Sequence, residues 1–342
     1  MKHKTFFWFF FPAAIALISF KVFPITSVIV QSVHAPHQQV LVEVKICDAF
    51  GCAATTKVDR SATEELRREM PLGRYNGAAV FADRNHLAIE EVGSAWKSQT
   101  SFADFRAKVF NLPFYRALAF TLTYTIVVTP FALILGFSVA VAVNAIPRFF
   151  RGAMIFASLL PMIVTPLVGA LLLAWMIDSR GILGNTLQYL LDDPDLSIRA
   201  STPLTWVMLM VYGIWSSTPF AFVIYYAGLQ TVPHDTLEAA MIDGANRWER
   251  IRYIVLPHLM PLTVFMVLIK IMDNFRVFEP IISFEAAAHA QSLSYYIFTD
   301  LDPDSGLLSS AAATSILTIL GVLVLLSPAL VQTWKTFGKG QA

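Results

Sequence analysis

Lys270, Asp273, Arg276 and Glu279 follow one another at intervals of three, with Asn274 beside them, in a run that is otherwise apolar. Neighbours one helical turn apart alternate in sign and can neutralise each other. Ionisable groups at membrane depth are expensive and face a bundle interior or a watery cavity. The chemistry open to Asp273, Asn274 and Arg276 is therefore to line a solute path and hydrogen-bond solute hydroxyls. An ion ladder at a subunit interface, or the polar end of a helix, is the alternative. Phe275, Phe278, Trp215 and Tyr225 offer faces on which a sugar can stack, although aromatics at helical spacing also serve packing. No set of residues suggests a catalytic or metal site. The seven histidines are scattered without ligand spacing, and no G-x4-G-K-[ST] loop is present to hold nucleotide phosphates.

A second constellation is polar and local. Glu238-Ala239-Ala240-Met241-Ile242-Asp243-Gly244 is followed, after nine residues, by Ile254-Val255-Leu256-Pro257. Pro233 suits the first position of a helix, where its missing N–H costs nothing. Asp235 falls in the first turn, where a negative charge complements the helix dipole. Gly244 can take positive φ and close the helix. Asn246-Arg247-Trp248-Glu249 reads as a variant capping box opening a second helix. Leu256-Pro257 then marks the join to the next apolar run. Ala239 and Ala240 give a low-profile face that a partner can approach closely, and Glu238 offers a carboxylate to a partner's Arg or Lys. An interfacial amphipathic helix accounts for Trp248 and the basic residues. It does not account for the Glu-Ala-Ala face with Asp243 and Gly244 at fixed offset.

The elements that carry these residues are dictated by composition. The 342-residue chain is 56% hydrophobic and 14% charged, with 27 Phe, which points to a bilayer and away from a soluble domain. Its net charge of +1 gives no reason to expect nucleic acid. Six runs of about 20 residues can cross a hydrocarbon core of about 30 Å: 6–30, 115–143, 153–177, 203–229, 259–284 and 311–334. Lipid offers no partner to a free N–H or C=O, so these runs are expected to be helices, with Pro130, Pro161 and Pro166 kinking rather than ending them. Lys2 and Lys4 ahead of the first run also fit a signal peptide, with Val33-His34-Ala35 as a weak cleavage site. Pro36 argues against cleavage. Lys2, Lys4, Arg148, Arg151, Arg247, Arg250, Arg252, Lys335 and Lys339 fall on one side, against Arg180 and Arg199 in the short loops of the other. Both termini and the 230–258 loop are therefore expected in the cytoplasm.

The 31–112 segment is expected on the external side as a small soluble insertion. Val40, Val42, Val44 and Ile46 alternate as in a strand, and Ala62 to Glu69 is helix-like. Cys47 and Cys52 flank a hairpin turn, where an oxidising compartment favours a disulfide; two free thiols are the alternative.

The pattern E-A-A-x-x-x-G-x9-I-x-L-P in such a loop resembles the cytoplasmic signature of ABC-importer permeases. Pro233-His234-Asp235-Thr236-Leu237, Asp243-Gly244-Ala245, Asp178 to Asn185, Phe11-Pro12-Ala13 and Phe23-Pro24 are also similar to the carbohydrate (maltose-type) members. The resemblance covers roughly 6–30 and 110–335. It implies an all-α integral membrane protein of the type I importer fold: a first helix (6–30), an external cap (31–112) and a five-helix core (113–335) bearing the ATPase-docking loop (230–258). It further implies an ABC ATPase dimer that binds ATP and Mg, a second permease in a heterodimer, and a periplasmic or extracellular solute-binding protein. This chain itself would be a non-enzymatic, multi-pass protein of the bacterial cytoplasmic membrane that holds no cofactor. Glu238, Ala239, Ala240, Asp243, Gly244, Leu256 and Pro257 take the docking role by this resemblance. The stretch Phe284 to Ala290 departs from the glycine-rich turn of many sugar permeases, which keeps polyol, glycerol phosphate and polyamine in view as solutes. An ion-coupled secondary transporter would show inverted repeats, and none is visible. A membrane-embedded enzyme would need convergent reactive groups, and the self-neutralising ladder is the one place that offers any.

Overall fold

The structure is a computed structural model that describes residues 3–35, 40–48, 51–69, 72–99, 101–193, 197–302 and 307–339. Helices α1 (His3–Leu17) and α2 (Phe23–Ser32) form one apolar rod joined by a π-helical turn, Ile18–Val22. That turn stands just before Pro24, and the Phe23 N–H donates to the Ile18 carbonyl, five residues back. Proline has no N–H and crowds the carbonyl four residues earlier, so a wider turn relieves it.

Two antiparallel ladders follow. Strands β2 (Leu41–Asp48) and β3 (Gly51–Val58) form a hairpin in which Cys47 stands opposite Cys52 in register. The side chains of that pair, and hence the expected disulfide, lie outside the described residues. β1 (His34–Ala35) pairs with β4 (Arg74–Tyr75), which comes after α3 (Arg60–Glu69). Asp59 caps α3, its Oδ1 accepting from the N–H groups of Ser61 and Ala62 at 3.0 and 3.1 Å. The Ser61 hydroxyl and these amides hold the Asp59 carboxyl below its ordinary range. The segment also folds α4 (Ala79–Ala82), α5 (Ile89–Lys97) and α6 (Phe102–Phe110), which lack the long apolar periodicity that would announce them.

The long helices are α7 (Pro113–Ala145), α11 (Thr202–Leu229), α14 (Leu256–Asn274) and α17 (Leu308–Lys339). Between α7 and α11 lie α8 (Arg148–Ile163), α9 (Pro166–Ile177) and α10 (Ile182–Leu191). After α11 come α12 (His234–Ile242) and α13 (Arg247–Arg250), and after α14 come α15 (Glu279–Ser283) and α16 (Leu293–Asp300). Among the described residues, five helical stretches are long and apolar enough to cross a bilayer, and six if the pair α8 and α9 counts as one.

That pair corrects the expectation of a third span kinked at Pro166 but not ended there. The two helices bend by 93° at residues 164 and 165. Thr165 is extended (ψ 142°) because the ring of Pro166 disfavours helical geometry in the residue before it. Pro130 and Pro161 do lie inside continuous helices. The fifth span is corrected too. It runs from Arg247 through a π-helical turn, Ile251–Val255, to Asn274, so it begins before Leu256-Pro257 and ends ten residues short of Phe284. The π turn again precedes a proline, Pro257, and the Leu256 N–H reaches back to the Ile251 carbonyl.

Contacts divide the chain into Met1–Arg116 with Tyr296–Leu320, and Ala117–Tyr295 with Gly321–Ala342. The second unit has two apolar clusters along α11. One holds Phe120, Tyr124, Leu209, Tyr212 and Ile281; the other holds Leu133, Phe222, Tyr225, Leu259 and Met266. Gly136 lets α7 close on α11, since a Cβ there would lie 2.6 Å from Ala221 Cβ and 2.9 Å from the Phe222 nitrogen. In the first unit the core is partly polar: His86, Asp300 and Ser310 are buried together.

Candidate functional site

The 230–258 loop is built from local signals and then fixed at its ends. α12 closes as a Schellman turn: the Gly244 N–H donates to the Met241 carbonyl at 3.1 Å, and the Ala245 N–H to Ala240 at 2.9 Å. Gly244 sits at φ 82° with open space where a Cβ would be, so backbone conformation alone requires glycine. The capping box is complete: Asn246 Oδ1 accepts from the Glu249 N–H at 2.9 Å, and Glu249 Oε2 accepts from the Asn246 N–H at 2.8 Å. Pro233 is the N-cap rather than the first helical residue. At the root of the loop, Gln230 donates to Asn144 Oδ1 (3.1 Å), and Thr231 Oγ1 lies 3.0 Å from His258 Nε2. Val232 is buried, and Leu237 packs on the second apolar cluster.

What this anchoring leaves outside is the expected docking set. Glu238, Ala239, Asp243, Gly244, Leu256 and Pro257 are exposed, and Ala240 is half-buried. Met241 and Ile242 join them at 51% and 87% exposure. The sequence reading gave those two no role, because an apolar residue on a helix ordinarily marks the side facing a core.

The charged ladder is brought together only in part. Lys270 Nζ lies 3.8 Å from Asp273 Oδ2, and Arg276 Nη2 donates to Asp273 Oδ1 at 3.4 Å. Glu279 opens α15 beyond the end of α14 and joins no ion pair among the described residues. Lys270 is buried with its ammonium 4.8 Å from the centre of the Phe220 ring, a cation–π contact. Asp273 and Arg276 are open to the surroundings. Asn274 is turned away from them: it is buried and donates to Thr129 Oγ1 on α7 at 3.0 Å. Phe275 and Tyr225 are buried in packing, whereas Trp215 is 44% exposed. Phe220 and Thr129 carry no sequence signal, since an aromatic and a threonine in an apolar helix look like packing.

The departing stretch Phe284 to Ala290 is held by polar contacts. Glu285 adopts left-handed geometry (φ 50°) and pairs with Arg199, which also lies 3.9 Å from Asp178. Trp206 Nε1 donates to the His289 carbonyl at 2.9 Å. Three separate loops of the second unit thus meet at Arg199. No group of residues that could hold a metal occurs among the described residues.

The family described as "Binding-protein-dependent transport system inner membrane component" matches residues 129–334. A probable ABC transporter permease protein, y4oQ of Sinorhizobium fredii, is 31% identical over 175 residues, covering 49% of this chain and 54% of the relative. The trehalose transport system permease protein SugA of Mycobacterium tuberculosis is 28% identical over 205 residues, covering 57% and 63%. The chain thus spans between about half and two thirds of the length of these relatives. Among solved structures, a chain of a bacterial alginate ABC transporter in complex with an alginate pentasaccharide-bound periplasmic protein superimposes with a TM-score of 0.56. That match is 23% identical and covers 71% of this chain and 85% of the other, which shows a common fold.

Proposed function

Because the chain belongs to the binding-protein-dependent transport system inner membrane component family, we propose that it is a transmembrane subunit of an ATP-driven ABC importer. In this reading it forms half of the path for a sugar or oligosaccharide. The observation that carries the reading is the loop built on α12 and α13: a short helix tied at its root to α7 and α14, with Glu238, Ala239, Met241 and Ile242 left bare. Such a surface suits a cleft on a separate ATPase dimer, which would hold ATP and Mg. The loop and both termini then face the cytoplasm. On the opposite side a loaded solute-binding protein docks, and a second permease, different from this one, completes the path. The trehalose relative and the alginate transporter support a carbohydrate as solute.

Mechanically, ATP can bias one helix arrangement over another only if the ATPase contacts the loop differently in the two states. The root contacts carry that difference onward, since Gln230 joins the loop to α7 and His258 joins it to α14. The path is assigned to the open pair Asp273 and Arg276, with Trp215 as a stacking surface.

Purification of the tagged chain from native membranes in mild detergent tests the importer assignment. We expect an ATPase and a second permease to accompany the wild type, and Gly244→Asp, which strains the turn at φ 82°, to lose the ATPase while keeping the helical content of the membrane fold. Recovery of the wild-type chain alone across several detergents would sink the reading. Asp273→Ala tests the path: uptake should fall by roughly tenfold, as when one charged partner is left unmatched, with the ATPase still bound. Unchanged uptake would confine Asp273 to a structural role.

A further inference from the structure

Docking on α12 gives no role to the residues that follow it. Arg247, Trp248, Arg252 and Tyr253 are all exposed, the two aromatics at 69% and 68%. They open the helical stretch Arg247–Asn274, which is long and apolar enough to cross a bilayer. Arg148 and Phe149 stand in the same way at the start of α8, with Phe149 89% exposed. The two starts lie at one end of the second unit. Gln230 ties the end of α11 to Asn144, just before α8, and Thr231 ties it to His258, near the start of α14. Ile155 and Leu159 of α8 pack on the apolar cluster that holds Val255 and Leu259.

The arginines are left without carboxylates. Arg148, Arg247 and Arg252 join no ion pair among the described residues. Glu249, the one acid between Arg247 and Leu256, is turned back to accept from the Asn246 N–H at 2.8 Å. Asp235, Glu238 and Asp243 all precede the turn at Gly244. The Arg252 guanidinium instead lies 5.6 Å from the centre of the Tyr253 ring. An amphipathic ring beside an unmatched cation suits the level of lipid headgroups, where the ring spans water and hydrocarbon and phosphate meets the cation. Further along both helices exposed apolar side chains take over: Leu256 and Met260 after the π turn, and Met154 and Phe156 on α8. Charge then decides between lipids. A zwitterionic headgroup brings no net charge to three unmatched guanidinium groups, whereas an anionic one does.

We propose that this end of the second unit binds anionic phospholipid headgroups through Arg148, Arg247 and Arg252, with Trp248 and Tyr253 seated at the headgroup level. The loop is then shared between two partners, α12 for a protein and α13 for lipid. The inference rests on the chain being a membrane component and not on the ATPase assignment.

Tryptophan quenching tests this, with the purified full-length chain and its co-purifying partners in phosphatidylcholine vesicles. The probes are phosphatidylglycerol and phosphatidylcholine brominated in their acyl chains, and the signal is the part of the fluorescence that Trp248→Phe removes. Brominated phosphatidylglycerol should be preferred at Trp248 by at least about tenfold, since each cation at an anionic surface contributes roughly fivefold. Arg247→Gln/Arg252→Gln should lower that preference by about tenfold on the same arithmetic. Arg247→Lys/Arg252→Lys keeps the charge and should retain most of it, which separates lost charge from lost structure. Arg180→Gln, in the connection that precedes α11, should leave it unaltered. Equal quenching by the two lipids would overturn the proposal. So would a preference that survives the double Gln variant, or one that falls as far in Arg180→Gln.

Discussion

Asp300 illustrates how a single carboxyl can set the pH response of its unit. Burial pushes its pKa above the ordinary value of 3.8, and the hydrogen bond from Ser310 and the proximity of His86 oppose that shift without cancelling it. A folded-state pKa above the unfolded one means that the folded state binds the proton more tightly. The stability of the first unit should therefore rise as pH falls through the folded pKa, and level off below the unfolded value. Asp300→Asn should flatten that rise, seen as melting temperature against pH; an unaltered slope would assign it to another group. None of this was legible in the sequence, because Asp300, Ser310 and His86 are brought together only by the fold. Gly244 is the opposite case. Its positive φ, its Schellman bonds and the capping box two residues later all follow from residues a few positions apart, so local spacing revealed them. The charged ladder falls between the two. Its spacing was readable, but α14 stops at Asn274, and the partners of Lys270 and Asn274 come from α11 and α7.

At the scale of elements, apolar length gave the existence of the spans, and proline context decided their continuity. Pro130 lies within a 33-residue helix, whereas Pro166 follows a break of 93°. Both π turns stand just before a proline, so the helix is widened where its hydrogen-bond ladder would fail. Close helix contacts lead to a sharper test. At Gly136 a new Cβ meets the backbone of α11, whereas at Gly213 it meets the ring end of Tyr124, at 2.2 Å from the hydroxyl. Both Gly136→Ala and Gly213→Ala should destabilise the protein by about 1–3 kcal/mol through overpacking. Tyr124→Phe should recover part of the loss at 213 and none at 136, by thermal melting in detergent. Equal recovery at both would mean that the strain spreads through the whole of α7. The small helices of the 31–112 segment were only partly foreseen. α3 and the β2–β3 hairpin have clear patterns, but α4 to α6 are too short to give a periodic signal.

On the scale of the whole molecule, the chain shows apolar surface of two kinds. The most apolar window of the α1–α2 rod has none of its residues buried, as expected of a surface that lipid or a neighbouring helix covers. Ile242, at 87% exposure in a polar loop, is different, because the short helix that carries it packs through Leu237 on the second apolar cluster and leaves Ile242 uncovered. This has a consequence for the cell. A chain made in excess of the proposed ATPase would carry a permanently uncovered tag, and membrane proteases act on what stays uncovered. The abundance of this protein should then follow that of the chain that shields α12, whatever its own rate of synthesis. Pulse-labelling with and without the proposed ATPase would measure it: the orphan chain should decay several-fold faster, and Ile242→Ser should slow that decay. Equal lifetimes would mean that the loop is shielded by something other than the ATPase.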